Sequence, residues 1–183
     1  SGRSNRRHAR GLGVPLLMNI VLIGYRGTGK STVGRLLASR LGRKLVSTDA
    51  EIVKRAQRTI PEIIAQEGWE YFRDLESEIC RELADRDQLV IDTGGGAILR
   101  TQNIEGLKKN GTVFWLTASV ETIVKRIGSD NQRPSLTGTK SFVDEIQDVL
   151  QERVPKYHAA ADHVIATDNR SLNQLVETVL SLM

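Results

Sequence analysis

Gly24-Tyr25-Arg26-Gly27-Thr28-Gly29-Lys30-Ser31 spells GxxxxGK[ST], a run whose residue types and spacing suit one task, the holding of a phosphate chain. Its glycines let the backbone turn so that successive N–H groups point at phosphate oxygens. A helix opening at Ser31 adds the positive end of its dipole. Lys30 reaches the β and γ phosphates and the Ser31 hydroxyl ligates magnesium, with Gly27, Thr28, Gly29 and Thr32 completing an ATP-binding surface. The chemistry is phosphoryl transfer, and the motif leaves the acceptor open among water, a nucleotide, a protein and a small molecule.

Other residues could complete such a reaction. Asp49 stands at a strand end, where a carboxylate can hold an acceptor hydroxyl and take its proton; the same residue could instead cap a helix from Glu51 to Gln57. Asp92 closes the apolar run Leu89-Val90-Ile91, the form of a magnesium-holding strand end, and would act through water; a turn or cap residue is the other reading. Gly94-Gly95-Gly96 allows close approach to backbone N–H groups, more glycine than a plain turn needs. Arg73, beside Asp74 and Glu76, could be a solvated ion pair, and Arg153 a surface arginine. Cys80, the single cysteine, has no catalytic setting and reads as half-buried. His8, His158 and His163 lack metal-ligand spacing with it.

The elements that must position these residues alternate. Asn19–Ile23, Lys44–Val46, Leu89–Ile91, Thr112–Leu116 and His163–Ala166 read as strands, separated by helix-length segments. That order predicts an α/β fold with a parallel sheet covered on both faces, which binds ligands at the carboxyl ends of its strands. Two stretches exceed simple alternation. Residues 49–86 form a long helical insertion suited to substrate binding, centred on about 48–80, and the polar, glycine-bounded segment 128–141 is expected to be a mobile lid.

With the phosphate motif stand Ser47-Thr48-Asp49, Phe72-Arg73-x-x-Glu76, Gly94-Gly95-Gly96, Arg133-Pro134 and Arg153-x-x-x-Tyr157, in that order. Together they resemble the shikimate kinases, small members of the nucleoside-monophosphate-kinase fold, from Met18 to Met183. The resemblance implies a three-layer P-loop kinase fold with a five-stranded parallel sheet in the order 2-3-1-4-5. It implies transfer of the γ-phosphoryl of ATP, with Mg2+, to the 3-hydroxyl of shikimate. By it Asp49 is the base, and Arg73, Arg153 and the three glycines bind shikimate while Glu76 orients Arg73. Arg133 is the lid arginine, catalytic alongside Lys30, and Arg126 and Arg170 flank the adenine. The chain departs from the family at Ser47, where an acid usually helps hold hydrated magnesium. The sequence reading gives that duty to Asp92.

Charge does not redirect this reading. The 183 residues carry a net charge of +4, but Arg3, Arg6, Arg7 and Arg10 lie in an acid-free first seventeen, leaving 22 basic against 22 acidic residues beyond Leu17. Residues 1–17 read as a basic disordered extension or expression remnant, and residues 18–183 as one kinase domain. The expectation is a cytoplasmic monomer whose partners are ATP and shikimate, with no nucleic acid and no membrane. Three rival readings stand beside it: another small-metabolite kinase of the gluconate type, a nucleotide-binding regulator without turnover, and a nucleic-acid-binding protein, which depends wholly on the N-terminal arginines.

Overall fold

Apolar runs dominate the strands because both faces of the sheet are covered: every residue of β1 (Asn19–Ile23) and β3 (Leu89–Asp92) is buried. The computed structural model describes residues 18–128 and 141–183. With β2 (Lys44–Ser47), β4 (Gly111–Thr117) and β5 (His163–Ala166), these strands form one parallel sheet in the order β2-β3-β1-β4-β5. The five strands and their order match the sequence reading, each end lying within one residue of its expected bound.

Alternate side chains along each strand leave on opposite faces. Val21, Ile23, Ile91, Val113 and Trp115 meet the helical insertion after β2 and the helix over residues 142–160, and Ile20, Leu22, Val90, Phe114 and Leu116 meet α1 (Lys30–Leu41) and α8 (Leu172–Ser181). The insertion after β2 is three helices, α2 (Thr48–Ala56), α3 (Ile60–Glu67) and α4 (Trp69–Ala84). α3 begins with a capping box between Thr59 and Glu62 and carries Pro61 in its first turn, where a missing N–H costs nothing. α4 turns Phe72, Ile79 and Leu83 inward, and truncating a buried phenylalanine of this kind to alanine costs roughly 3–5 kcal/mol. Cys80 is also fully inside, and burial pushes its thiol up to about 12, so the half-buried expectation understated its enclosure.

A turn of 3₁₀ helix (Ala97–Leu99), α5 (Thr101–Lys108) and α6 (Val120–Ile127) follow β3 and β4. α7 (Phe142–Ala160) then leads to β5. Among the described residues no helix is long and apolar enough to cross a membrane.

Candidate active site

The turn from β1 into α1 is a cradle built mainly from its own backbone. Gly27 and Gly29 hold φ angles of 80° and 97°, which side-chain-bearing residues adopt only with strain. The Thr28 hydroxyl donates to the Tyr25 carbonyl at 2.8 Å, and the Lys30 ammonium donates to the Gly24 and Tyr25 carbonyls at 2.7 and 3.0 Å. Lys30 therefore folds back onto the start of the loop. No acidic residue occupies the first turn of α1, so no side chain of that turn offsets the positive end of the helix dipole.

Asp92 faces this cradle from β3, its carboxylate accepting from the Ser31 hydroxyl at 2.6 Å. Burial pushes the Asp92 carboxyl above its usual range, against the pull of the Lys30 charge and the Ser31 hydrogen bond. In the pairing of β2 with β3, Ser47 is the register partner of Asp92, so the hydroxyl at 47 and the acid at 92 stand side by side on neighbouring strands. Ser47 has a structural task of its own. Its side chain accepts from the Ala50 N–H and caps α2.

That finding removes the helix-cap alternative for Asp49, which lies inside the first turn of α2. Its carboxylate reaches Gly94: a Cβ there would stand 2.7 Å from Asp49 Oδ1 and 2.9 Å from Glu76 Oε2. Two steps on, a Cβ at Gly96 would overlap the Arg73 guanidinium. Gly94 and Gly96 are thus required first by the protein's own charged side chains, and the Gly94 N–H is already donated to the Thr48 hydroxyl at 2.8 Å. At Gly94 this differs from the expectation of an N–H presented to a ligand.

Arg73 donates to Glu76 at 2.9 Å, with Glu76 wholly buried, and its guanidinium carbon sits 5.4 Å from the Trp69 ring and 5.2 Å from the Phe72 ring. Arg153, on α7, is 6% exposed. Burial lowers its pKa, Tyr157 opposes that shift, and the nearby Arg73 charge adds to it. Two adjoining guanidinium groups are the donor set that grips a carboxylate in its plane. Both surface readings of these arginines fail on burial alone. Tyr157 stacks on Trp115 and donates its hydroxyl to the Gly95 carbonyl; burial pushes that phenol up to about 12.

A cleft of about 680 Å³ runs over the cradle. Residues 26–33, Ser47, Asp49, residues 92–95, Arg126 and Arg170 border it. Arg73, Gly96 and Arg153 do not border it. Arg126 donates to the Gly27 carbonyl and the Thr167 hydroxyl, each at 3.1 Å, pinning the cradle to the β5 end. Arg170 donates to Thr178 and to the Ala166 carbonyl, the latter at 3.5 Å. Arg133 and the expected lid, between Gly128 and Ser141, lie outside the described residues.

Arg26 is the residue that motif reading passed over. It borders the cleft from a variable position of the phosphate loop, and its Nη1 is enclosed without a hydrogen-bond partner among the described residues. The available signal was its type, a cation inside a loop built for anions.

Known proteins resemble this chain over most of its length. A family model described as shikimate kinase matches residues 26–183. The shikimate kinase of Nitratidesulfovibrio vulgaris is 42% identical over 167 residues, covering 90% of this chain and 94% of that one. That of Symbiobacterium thermophilum is 44% identical over 165 residues, covering 89% and 94%. Among solved structures, shikimate kinase from Acinetobacter baumannii in complex with shikimate superposes with a TM-score of 0.86 at 39% identity, covering 91% of this chain and 92% of that one. Shikimate kinase from Aquifex aeolicus gives 0.74 at 33%, covering 90% and 96%.

Proposed function

The chain belongs to the shikimate kinase family and is an ATP-dependent small-molecule kinase, and we propose that it moves the γ-phosphoryl of ATP to the 3-hydroxyl of shikimate, giving shikimate 3-phosphate and ADP. The observation that carries this reading is the shared position of Gly94. It borders the nucleotide cleft and is packed against Asp49 and Glu76, while Glu76 holds Arg73. An acceptor gripped through its carboxylate by Arg73 and Arg153 would thereby bring a ring hydroxyl towards Asp49, at the edge of the phosphate cradle.

Each residue then has a task. The N–H groups of residues 27–32 and the Lys30 ammonium bind and orient the phosphates, and Lys30 counters the charge that develops as the bond to ADP breaks. Asp49 orients the acceptor hydroxyl and accepts its proton during transfer. Glu76 keeps Arg73 in place against Gly96. Arg126 and Arg170 form the far rim, towards the adenine.

The residues fit a magnesium ion. Ser31 and Asp92 offer a hydroxyl and a buried carboxylate that already converge, oxygen donors of the kind the ion prefers. When bound, Mg2+ would neutralise phosphate charge. The proposal gives Asp92, through water, the duty of the acid replaced by Ser47, with Ser31 as direct ligand. The same reading has the enzyme working as a cytoplasmic monomer.

An ADP-release assay with MgATP and a panel of shikimate, quinate, gluconate and nucleoside monophosphates tests the assignment. Turnover is expected with shikimate, and Asp49→Asn should lower kcat by about 10²- to 10⁴-fold while ATP binding persists. Turnover with gluconate or a nucleotide in place of shikimate overturns the substrate. Undiminished turnover in Asp49→Asn overturns the base.

A further inference from the structure

Arg100 lies outside the cleft and in none of the assigned roles, yet it joins the two elements whose separation sets the depth of Arg73. It ends the 3₁₀ turn that follows the glycine run and occupies the cap position of α5. The turn ties it firmly to the glycines: Ala97 N donates to the Gly94 carbonyl at 3.0 Å and Leu99 N to the Gly96 carbonyl at 3.1 Å. Asn103, itself buried, braces the turn from α5 by donating to the Ala97 carbonyl at 3.0 Å.

From that anchored backbone the guanidinium reaches back to α4. It donates to Asp74 at 2.8 Å, to the Ser77 hydroxyl at 3.2 Å and to Glu70 at 2.7 Å. Spacings of four and three place these acceptors in one stripe along the helix. Arg73 and Glu76, which alternate with them, point to the interior. α4 therefore meets the glycine run twice. One contact is direct, the Arg73 guanidinium filling the space a Cβ on Gly96 would take. The other passes through Arg100 and the turn. These contacts close a ring, and the fit at Gly96 is too tight for α4 to slide without moving Arg73 out of register.

We propose that Arg100 is a positioning residue for the acceptor site, holding α4 at the depth where Arg73 grips the acceptor's carboxylate. It touches neither substrate. The effect is on placement more than on stability, because Glu70 and Asp74 are 88% and 67% exposed and such pairs contribute little to folding.

The inference rests on the acceptor role of Arg73, so Arg73→Lys is measured beside Arg100→Gln, Arg100→Lys and the double variant Glu70→Gln with Asp74→Asn. Steady-state kinetics are run in ATP and in shikimate, with a melting curve for each protein. Arg100→Gln should raise the KM for shikimate roughly tenfold, with kcat and the KM for ATP within about twofold of the parent. The double variant should move the same parameter less. Arg100→Lys should fall between parent and Gln, since an ammonium cannot serve three acceptors in the geometry of a planar fork. A normal KM for shikimate in Arg100→Gln, with Arg73→Lys impaired, overturns the inference. Equal rises in both KM values would mean general loosening and overturn it as well. A normal KM for shikimate in Arg73→Lys removes the acceptor assignment and the inference together. If Arg100→Gln fails to fold, the double variant decides, a rise in that KM alone supporting the proposal and no rise overturning it.

Discussion

The phosphate cradle is a single stretch of eight residues whose hydrogen bonds run largely to its own carbonyls, whereas the proposed acceptor side draws on α2, α4, the glycine run and α7. One half works through backbone geometry that the chain dictates locally. The other works through buried charges brought together over a hundred residues of sequence, Asp49 to Arg153. The difference teaches where each half is vulnerable. A local loop tolerates change around it but not within it, while a convergent site can be spoiled by a displacement in any contributing element.

Paired substitutions test this contrast most strongly. Lys30→Ala removes a cation from the cradle and should lower kcat roughly 10²- to 10³-fold while leaving the fold intact, because the Gly24 and Tyr25 carbonyls it bonds belong to the same loop. Gly96→Ala adds one methyl group where the Arg73 guanidinium already sits. It should raise the KM for shikimate by about ten- to a hundredfold. It should also cost roughly 1–3 kcal/mol of stability by overpacking, read as a lower Tm. If Gly96→Ala bound shikimate normally, the acceptor half would be more compliant than its packing implies.

Asp92 sits on the border between the two halves, reached by Ser31 from one side and register-paired with Ser47 on the other. Asp92→Asn keeps the shape and removes the charge. The magnesium concentration for half-maximal activity should rise about tenfold, with the KM for shikimate unchanged. Stability should move the other way. A carboxyl whose folded pKa is raised by burial opposes folding once ionised, so the metal-free Asn variant should melt at or above the parent at neutral pH. Unchanged magnesium dependence would take Asp92 out of the metal's surroundings.

The contrast also explains what the sequence disclosed. Strand positions and the cradle follow from patterns within a few residues, apolar runs and GxxxxGK[ST], and both stand in the structure as read, while the order of the strands came with the resemblance. The acceptor side was legible only through resemblance, because the burial of Arg73 and Arg153 depends on Trp69, Phe72, Gly96 and Tyr157 closing around them. No spacing rule announces that closure. Likewise the cap of α2 fell to Ser47 and not Asp49, a choice made by where β2 ends. The clamp of Arg100 on α4 spans up to 30 residues between partners and leaves no local signature.

Asp168 offers the mildest test, since it shows that the cradle's half is not wholly self-sufficient. Standing between β5 and α8, it accepts from the Ser119 N–H and hydroxyl and from the Thr122 hydroxyl, and so fastens the start of α6. α6 carries Arg126, which reaches the Gly27 carbonyl. The Thr122 hydrogen bond, with help from Ser119 and against some burial, holds the Asp168 carboxyl below its usual range. A depressed folded pKa stabilises the protein above the unfolded value near 3.9, and the contribution is lost as pH falls through the folded value. Asp168→Asn should therefore cost about 1 kcal/mol at neutral pH, seen as a Tm a few degrees below the parent, and the gap should close as the pH falls below about 4. Its kinetic effect should be confined to a small rise in the KM for ATP. A comparable rise for shikimate would mean that the two halves of the cleft are mechanically continuous through α6, against the separation their hydrogen bonds describe.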